Sequence, residues 1–170
     1  MSEEQNRPTI ADVLRTDVRA EYISERSGLS YVTGRYVKQT LNEVFGPLGW
    51  SYEVIEQRLL EGDPDAARWF AHVRLSITVG DHTVTRDGLA VGHGNLVTKN
   101  GKVSVGRASE VIDFAAAEAV TDALKRAASS VGQVLGLSLY PLTAGGKKTG
   151  GAAPRPAPKK KTSPKKVVKF

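Results

Sequence analysis

Lys125 and Arg126 stand side by side in EAVTDALKRAASSVGQVLG, residues 118–136, and adjacent cations are what neutralising a phosphate requires. A guanidinium offers a fork of donors and an ammonium a compact point charge, so the two together hold anionic oxygen. Their use depends on where the chain points them. At ~100° per residue, Val120, Leu124, Ala127, Val131 and Leu135 fall in one apolar arc. Lys125 lies about 100° and Arg126 about 200° from Leu124, outside that arc. Residues 118–136 therefore read as one helix, apolar toward a core and basic away from it, with Gly136 placed for a left-handed C-terminal cap. Asp122 keeps a plainer reading open: a solvated helix face with ion pairs to Lys125 and Arg126 worth ~0.3–0.5 kcal/mol each.

Other cations are less decided by their surroundings. Arg26 follows Glu21-Tyr22-Ile23-Ser24, and Glu21 and Glu25 are available to it as ordinary partners. Arg35 and Arg74 are weaker candidates, Arg74 because it falls on the polar side of an alternating strand. Lys99, Lys102 and Arg107 precede the long helix. No pattern points to bond-making chemistry. His72, His82 and His93 lack metal-ligand spacing, and Gly88, Gly92 and Gly94 do not form a GxGxxG or Gly-Lys-Ser/Thr loop. Strand-end flexibility or close backbone approach is expected at these glycines instead. No nucleophile elbow or motif of paired catalytic carboxylates is present, so an enzyme is not expected. Trp50, Tyr52 and Trp69 read as core or subunit-interface residues, not stacking platforms.

The elements that must position these residues alternate in kind. Ile10 to Leu14 reads as a short helix after Pro8, and Arg35 to Phe45 as a helix closing at Gly46 and Pro47. Trp50 to Arg58 reads as extended. Trp69, Ala71, Val73, Leu75, Ile77 and Val79 share one side of the clearest strand, and His82 to Val91 supplies its hairpin partner after Gly80-Asp81. Gly62 to Ala67 and Gly92 to Gly106 read as loops, the second with an Asn100-Gly101 turn. Ser109 is placed to cap the long helix. The fold class expected is α+β: a small antiparallel sheet of about three to four strands against a long C-terminal helix.

Charge divides the chain in two. Residues 144–170 hold eight lysines, Arg155 and no acid, whereas residues 1–143 hold 15 basic and 18 acidic side chains. The Lys/Pro/Gly-rich tail lacks core-forming residues and is expected to be disordered, leaving residues 1–143 as the folded domain. A nucleic-acid site in the domain would have to be a local groove, since its net charge is slightly negative. The 170 residues contain no cysteine, which excludes disulfides and Cys-based zinc sites. No apolar run is long enough to span a bilayer, and MSEEQNRPTI is acidic and polar, unlike a targeting segment. A cytoplasmic, nucleoid-associated protein with no membrane partner is expected.

Four segments resemble, in order, motifs of the Rad fifty-two (radiation-sensitive) type single-strand annealing proteins. Glu21-Tyr22-Ile23-Ser24 with Arg26 is similar to that family's EYIS-x-R opening, and Tyr31 with Gly34 to its Y-I-x-G step. NEVFGPLGW at 42–50 is similar to its NExFGxxGW segment, and residues 118–136 to its closing helix. The resemblance covers about residues 20 to 140. There are departures: SGLS is shorter than the family's loop, Tyr36 stands where an arginine is expected, and Val111 to Ala117 carry no lysine. Lys99, Lys102 and Arg107 are then the cations left for an outer DNA site.

The resemblance implies ATP-independent binding of single-stranded DNA and annealing of complementary strands in recombination and double-strand break repair. Lys125, Arg126 and Arg26 would contact the backbone, with Arg35 in support. It implies a homo-oligomeric ring or spiral, no cofactor, and a recombinase or single-strand-binding protein as possible partner. A bacterial or phage-borne member is expected, because no long C-terminal region follows. The alternative is a nucleoid-type binder that acts through the lysine tail while the domain only oligomerises.

Overall fold

Alternation along Ala66–Val79 sets the middle of the molecule, because it gives one strand a fully apolar side: Ala71, Val73, Leu75 and Ile77 are all buried. The computed structural model describes residues 8–26, 28–62, 65–97 and 105–139, with only the backbone of Arg26 and Val105. In chain order the elements are α1 (Ile10–Leu14), β1 (Ile23–Arg26), β2 (Leu29–Val32), α2 (Gly34–Phe45), β3 (Trp50–Leu60), β4 (Ala66–Val79), β5 (His82–Asn95) and α3 (Val105–Ser129). Single 3-10 turns follow at Gln133–Leu135 and Leu137–Leu139. The fold is α+β, as the sequence leads one to expect.

Strands β3, β4 and β5 form an antiparallel sheet in that order, and β1 and β2 a separate two-stranded hairpin. That hairpin was not foreseen, although Ser27-Gly28 between two short runs is a turn signal. In the large sheet Arg74 lies opposite Asp87 and Val73 opposite Gly88, so one face is apolar and the other polar. A bulge at Ile55 interrupts the β3–β4 register between Val54 and Glu56, on an edge strand where bulges blunt unwanted pairing.

The apolar face is covered by α3, and glycines decide how closely. A Cβ on Gly88 would lie 2.0 Å from the carbonyl oxygen of Ala123, and one on Gly92 would lie 1.9 Å from that of Ala115. The helix answers with Ala115, Ala119, Ala123 and Ala127, one small residue per turn, all buried. The expected close backbone approach at these strand glycines is therefore what they provide. Val37 and Leu41 of α2, and Leu124 and Leu135, complete the core.

Several boundaries differ from expectation. Helix α3 begins at Val105, before Ser109, because its early turns are needed over β5: Val111 packs on Gly94 and Ala115 on Gly92. It also ends at Ser129 and not at Gly136. The Ser129 and Ser130 hydroxyls donate to the carbonyls of Arg126 and Ala127 at 2.9 and 2.7 Å, and Gly132 turns extended against the Leu14 carbonyl, where a Cβ would come within 2.8 Å. Gly136 is left-handed, with φ 107°, but it closes the 3-10 turn. Strand β5 runs on to Asn95 and β4 begins at Ala66, so both expected loops are shorter. The Asn100-Gly101 turn and the tail lie outside the described residues.

Two outcomes follow. Gly88→Ala and Gly92→Ala should each destabilise by roughly 1–3 kcal/mol, since the opposing atom is backbone and cannot swing away. Urea unfolding would show a lower midpoint at unchanged slope, while Leu48→Ala, 97% exposed, should leave the midpoint in place. On the polar face, the Arg74 guanidinium donates to Asp87 at 3.0 Å and holds that carboxyl below its usual range, with His72 beside it. A depressed carboxylate contributes stability above its unfolded pKa of about 3.9 and loses it as pH falls through the lower folded value. Asp87→Asn should therefore flatten the acid limb of thermal stability between roughly pH 5 and pH 2, and an unchanged limb would deny the pair any role.

Candidate nucleic-acid interface

Since Ala115, Ala119, Ala123 and Ala127 face the sheet, the helical period sets Phe114, Glu118, Thr121, Asp122 and Lys125 on a flank of α3, about 100–160° round from them. This ridge is where chemistry can meet solvent. Phe114 stands 79% exposed on it. Glu118 accepts from the backbone N–H of His93 at 2.9 Å, tying the ridge to the end of β5.

Lys125 and Arg126 diverge from it. The Lys125 ammonium lies 2.6 Å from Asp122 Oδ1 and 5.5 Å from the centre of the Tyr31 ring, with its side chain only 21% exposed. Arg126 swings the other way and donates through Nη1 to the Leu89 carbonyl of β5 at 2.9 Å. The ion pair weighed from sequence is present for Lys125, while Arg126 uses a backbone carbonyl instead of Asp122. A guanidinium has five N–H donors, so one bond to Leu89 fixes its place without exhausting it.

The β1–β2 hairpin stands over Lys125. Tyr31 lies opposite Ser24, and Arg26 opposite Leu29 at the hairpin tip, beside Gly28 with φ 75°. Its root is held by Tyr22, whose ring stacks on Tyr36 of α2 at 4.9 Å. Tyr36 in turn donates to the Val134 carbonyl at 2.9 Å, and burial pushes its hydroxyl above the usual tyrosine range. The Tyr36 position, where an arginine is expected from the resemblance, therefore serves packing here.

Helix α2 meets α3 at its first residue. A Cβ on Gly34 would lie 2.4 Å from Thr121 Cγ2, so the two helices touch there at a distance that a side chain would reach only with the Thr121 methyl turned aside. The contact brings Arg35 and, one turn on, Lys38 to a depression of about 560 Å³ bounded by Thr121. Lys38 was not singled out from sequence; its spacing of three from Arg35 on an amphipathic helix is the signal that could have found it. Thr121 also borders a second depression, about 420 Å³, that runs to Phe114 and His93.

The remaining candidates separate. Arg107 is exposed in the first turn of α3, about 27 Å from Lys125 along the helix at 1.5 Å per residue. Arg74 is on the far face of the sheet, clamped to Asp87. Lys99 and Lys102 lie outside the described residues. The structure thus brings Lys125 beneath the Arg26-bearing hairpin and Arg35 beside Thr121, turns Arg126 toward β5, and leaves Arg107 and Arg74 elsewhere. No described helix is long and apolar enough to cross a membrane. Among the described residues no three His, Cys, Asp or Glu side chains are grouped to hold a metal ion.

Comparison with known proteins bears on what this arrangement is for. The chain is 31% identical over 142 residues to the DNA repair and recombination protein mus-11 of Neurospora crassa, covering 78% of this chain and 22% of that protein. It is 32% identical over 141 residues to the DNA repair and recombination protein rhm52 of Pyricularia oryzae, covering 78% and 24%. To the DNA repair and recombination protein RAD52 of Saccharomyces cerevisiae it is 33% identical over 129 residues, covering 71% and 25%. The chain spans only about a quarter of the length of these relatives. Residues 6–153 match the family model described as Rad52/22 family double-strand break repair protein, and the match takes in every element from α1 to the last 3-10 turn. The chain belongs to the Rad52/22 family of double-strand break repair proteins.

Proposed function

We propose that this chain binds single-stranded DNA by its phosphates and anneals complementary strands without ATP, in recombinational repair of double-strand breaks. The observation that carries the reading is Lys125 beneath the hairpin that bears Arg26, with Arg126 next to it in the chain and Arg35 beside Thr121, in a chain whose family is defined by break repair. Cations of this kind neutralise phosphates and release counterions while leaving base edges unread. A strand held by its backbone keeps its Watson–Crick edges open to a complement. Base pairing is downhill, so aligning and concentrating the strands is all that the protein must supply.

The domain acts as a homo-oligomeric ring or spiral, with the strand in a groove running from subunit to subunit. Support comes from the sheet, whose two edge strands carry exposed apolar side chains: Tyr52, Val54, Ile55 and Leu59 on β3, and Leu89 and Val91 on β5. Apolar residues on open edges are what a neighbouring subunit covers. Residues 1–143 form the DNA-binding and oligomerising unit, and residues 144–170 hold DNA loosely through their nine cations.

Fluorescence-monitored annealing of complementary oligonucleotides without ATP tests the groove. A folded Lys125→Ala/Arg126→Ala variant should lose roughly tenfold or more in rate and in single-strand affinity, since a charge-assisted contact is worth about 1.5–3 kcal/mol. Normal annealing by that variant would refute the groove. The tail is tested by ending the chain at residue 143. The salt slope of binding should then flatten, by up to roughly 6 if all nine tail cations meet phosphate at ~0.7 each, while annealing persists. If truncation abolishes binding to single and double strands alike, the tail is the binding element and the nucleoid-type alternative holds.

A further inference from the structure

Most described basic side chains are already committed within the fold. Arg15, Arg19, Arg58, Arg74 and Lys125 each lie beside a carboxylate, and Arg86 and Arg126 donate to carbonyls. Arg35 and Lys38 differ, as does Arg107 in the first turn of α3. Among the described residues none of the three has a carboxylate or hydrogen-bond partner, and Lys38 only overlies the Tyr52 ring at 5.4 Å. Arg35 and Lys38 sit one turn apart at the start of α2, whose first turn has no acid, so the helix dipole adds to their charge instead of offsetting it.

The one carboxylate of α2 is bonded to another residue. Glu43, the acid of α2, receives the Gln39 amide at 2.9 Å. Asn42 Oδ1 receives the Trp50 indole N–H at 2.8 Å, which orients that amide so that its two N–H donors are left over. Arg35, Lys38 and the Asn42 amide N–H groups thus border one depression together with Gln39, and Thr121 of the α3 ridge closes its other side. Two cations without a carboxylate partner, beside free amide N–H donors, suit a ligand that only accepts, as an ionised phosphodiester does. Thr121 lies one turn from Lys125, about 6 Å along the helix.

We propose that Arg35, Lys38 and Asn42 form a second phosphate-contact strip on α2, carrying the single strand onward from Lys125 across Thr121. The strip rests on the single-strand-binding reading above and extends it to Lys38 and Asn42. Gly34 is its geometric condition, because the close contact with Thr121 sets α2 beside the ridge.

The test measures binding of oligothymidylate to the full chain by fluorescence anisotropy over a range of salt. Lys38→Gln keeps the side-chain stem over Tyr52 and should lower the salt slope by ~0.7; adding Arg35→Ala should lower it by ~1.4 in total. Affinity should fall in step at low salt, Lys38→Arg should restore it, and thermal unfolding should report folded protein throughout. Arg15→Ala, a cation outside the strip, should leave the slope alone. If the Arg35→Ala/Lys38→Gln variant keeps the intact slope and affinity while Lys125→Ala/Arg126→Ala weakens binding, the strip is overturned and the groove stands. If the intact chain does not bind oligothymidylate, the single-strand reading fails and the strip fails with it.

Discussion

The contact between the glycines of β5 and the alanines of α3 is the constraint on which the other arrangements rest. With no side chain at Gly88 and Gly92 and a methyl group at each facing turn, the helix lies almost on the strand backbone. That height fixes the rest. It lets Arg126 reach the Leu89 carbonyl, lets Glu118 reach the amide of His93, and presents the ridge on that flank to the hairpin and α2. A helix held higher by larger residues would keep its amphipathic pattern but lose these lateral ties. Close packing at the sheet is therefore what gives the ridge and its lysine a defined position.

Glycine sets the second joint as well. Gly34 admits the Thr121 methyl closer than a Cβ would without that methyl turning aside, and the stacked pair Tyr22–Tyr36 anchors the hairpin to the same helix. Tyr22 belongs to the EYIS segment and Gly34 to the Tyr-x-x-Gly step, so two short motifs far from α3 in sequence locate the cations around it. Their value is mechanical before it is chemical.

Much of this was legible in the sequence, for physical reasons that can be named. The period of two along Ala71, Val73, Leu75 and Ile77 gave the central strand, and the arc of Leu124, Ala127 and Leu135 gave the buried side of the closing segment. The end of α3 was not legible, because Val131 and Leu135 continue the helical period while serine hydroxyls and Gly132 redirect the backbone. Nor was its start, because the early turns are held by contacts with β5 that no local pattern records. The divergence of Lys125 and Arg126 also depends on partners distant in sequence, Tyr31 and Leu89. Lys38 escaped notice because an exposed helix lysine looks ordinary until its neighbours are seen to be spoken for.

The Lys125–Asp122 pair has a consequence for turnover. A lysine whose counterion is a carboxylate on its own helix has no need of a solution anion, and an arriving phosphate must displace a tethered competitor that never diffuses away. The same carboxylate is ready to recapture the ammonium the moment the phosphate lifts, so release proceeds through exchange of partners and not through a bare charge. On the annealing role proposed above, a grip that is self-neutralised when empty would shorten residence on the finished duplex and free the lysine for another strand.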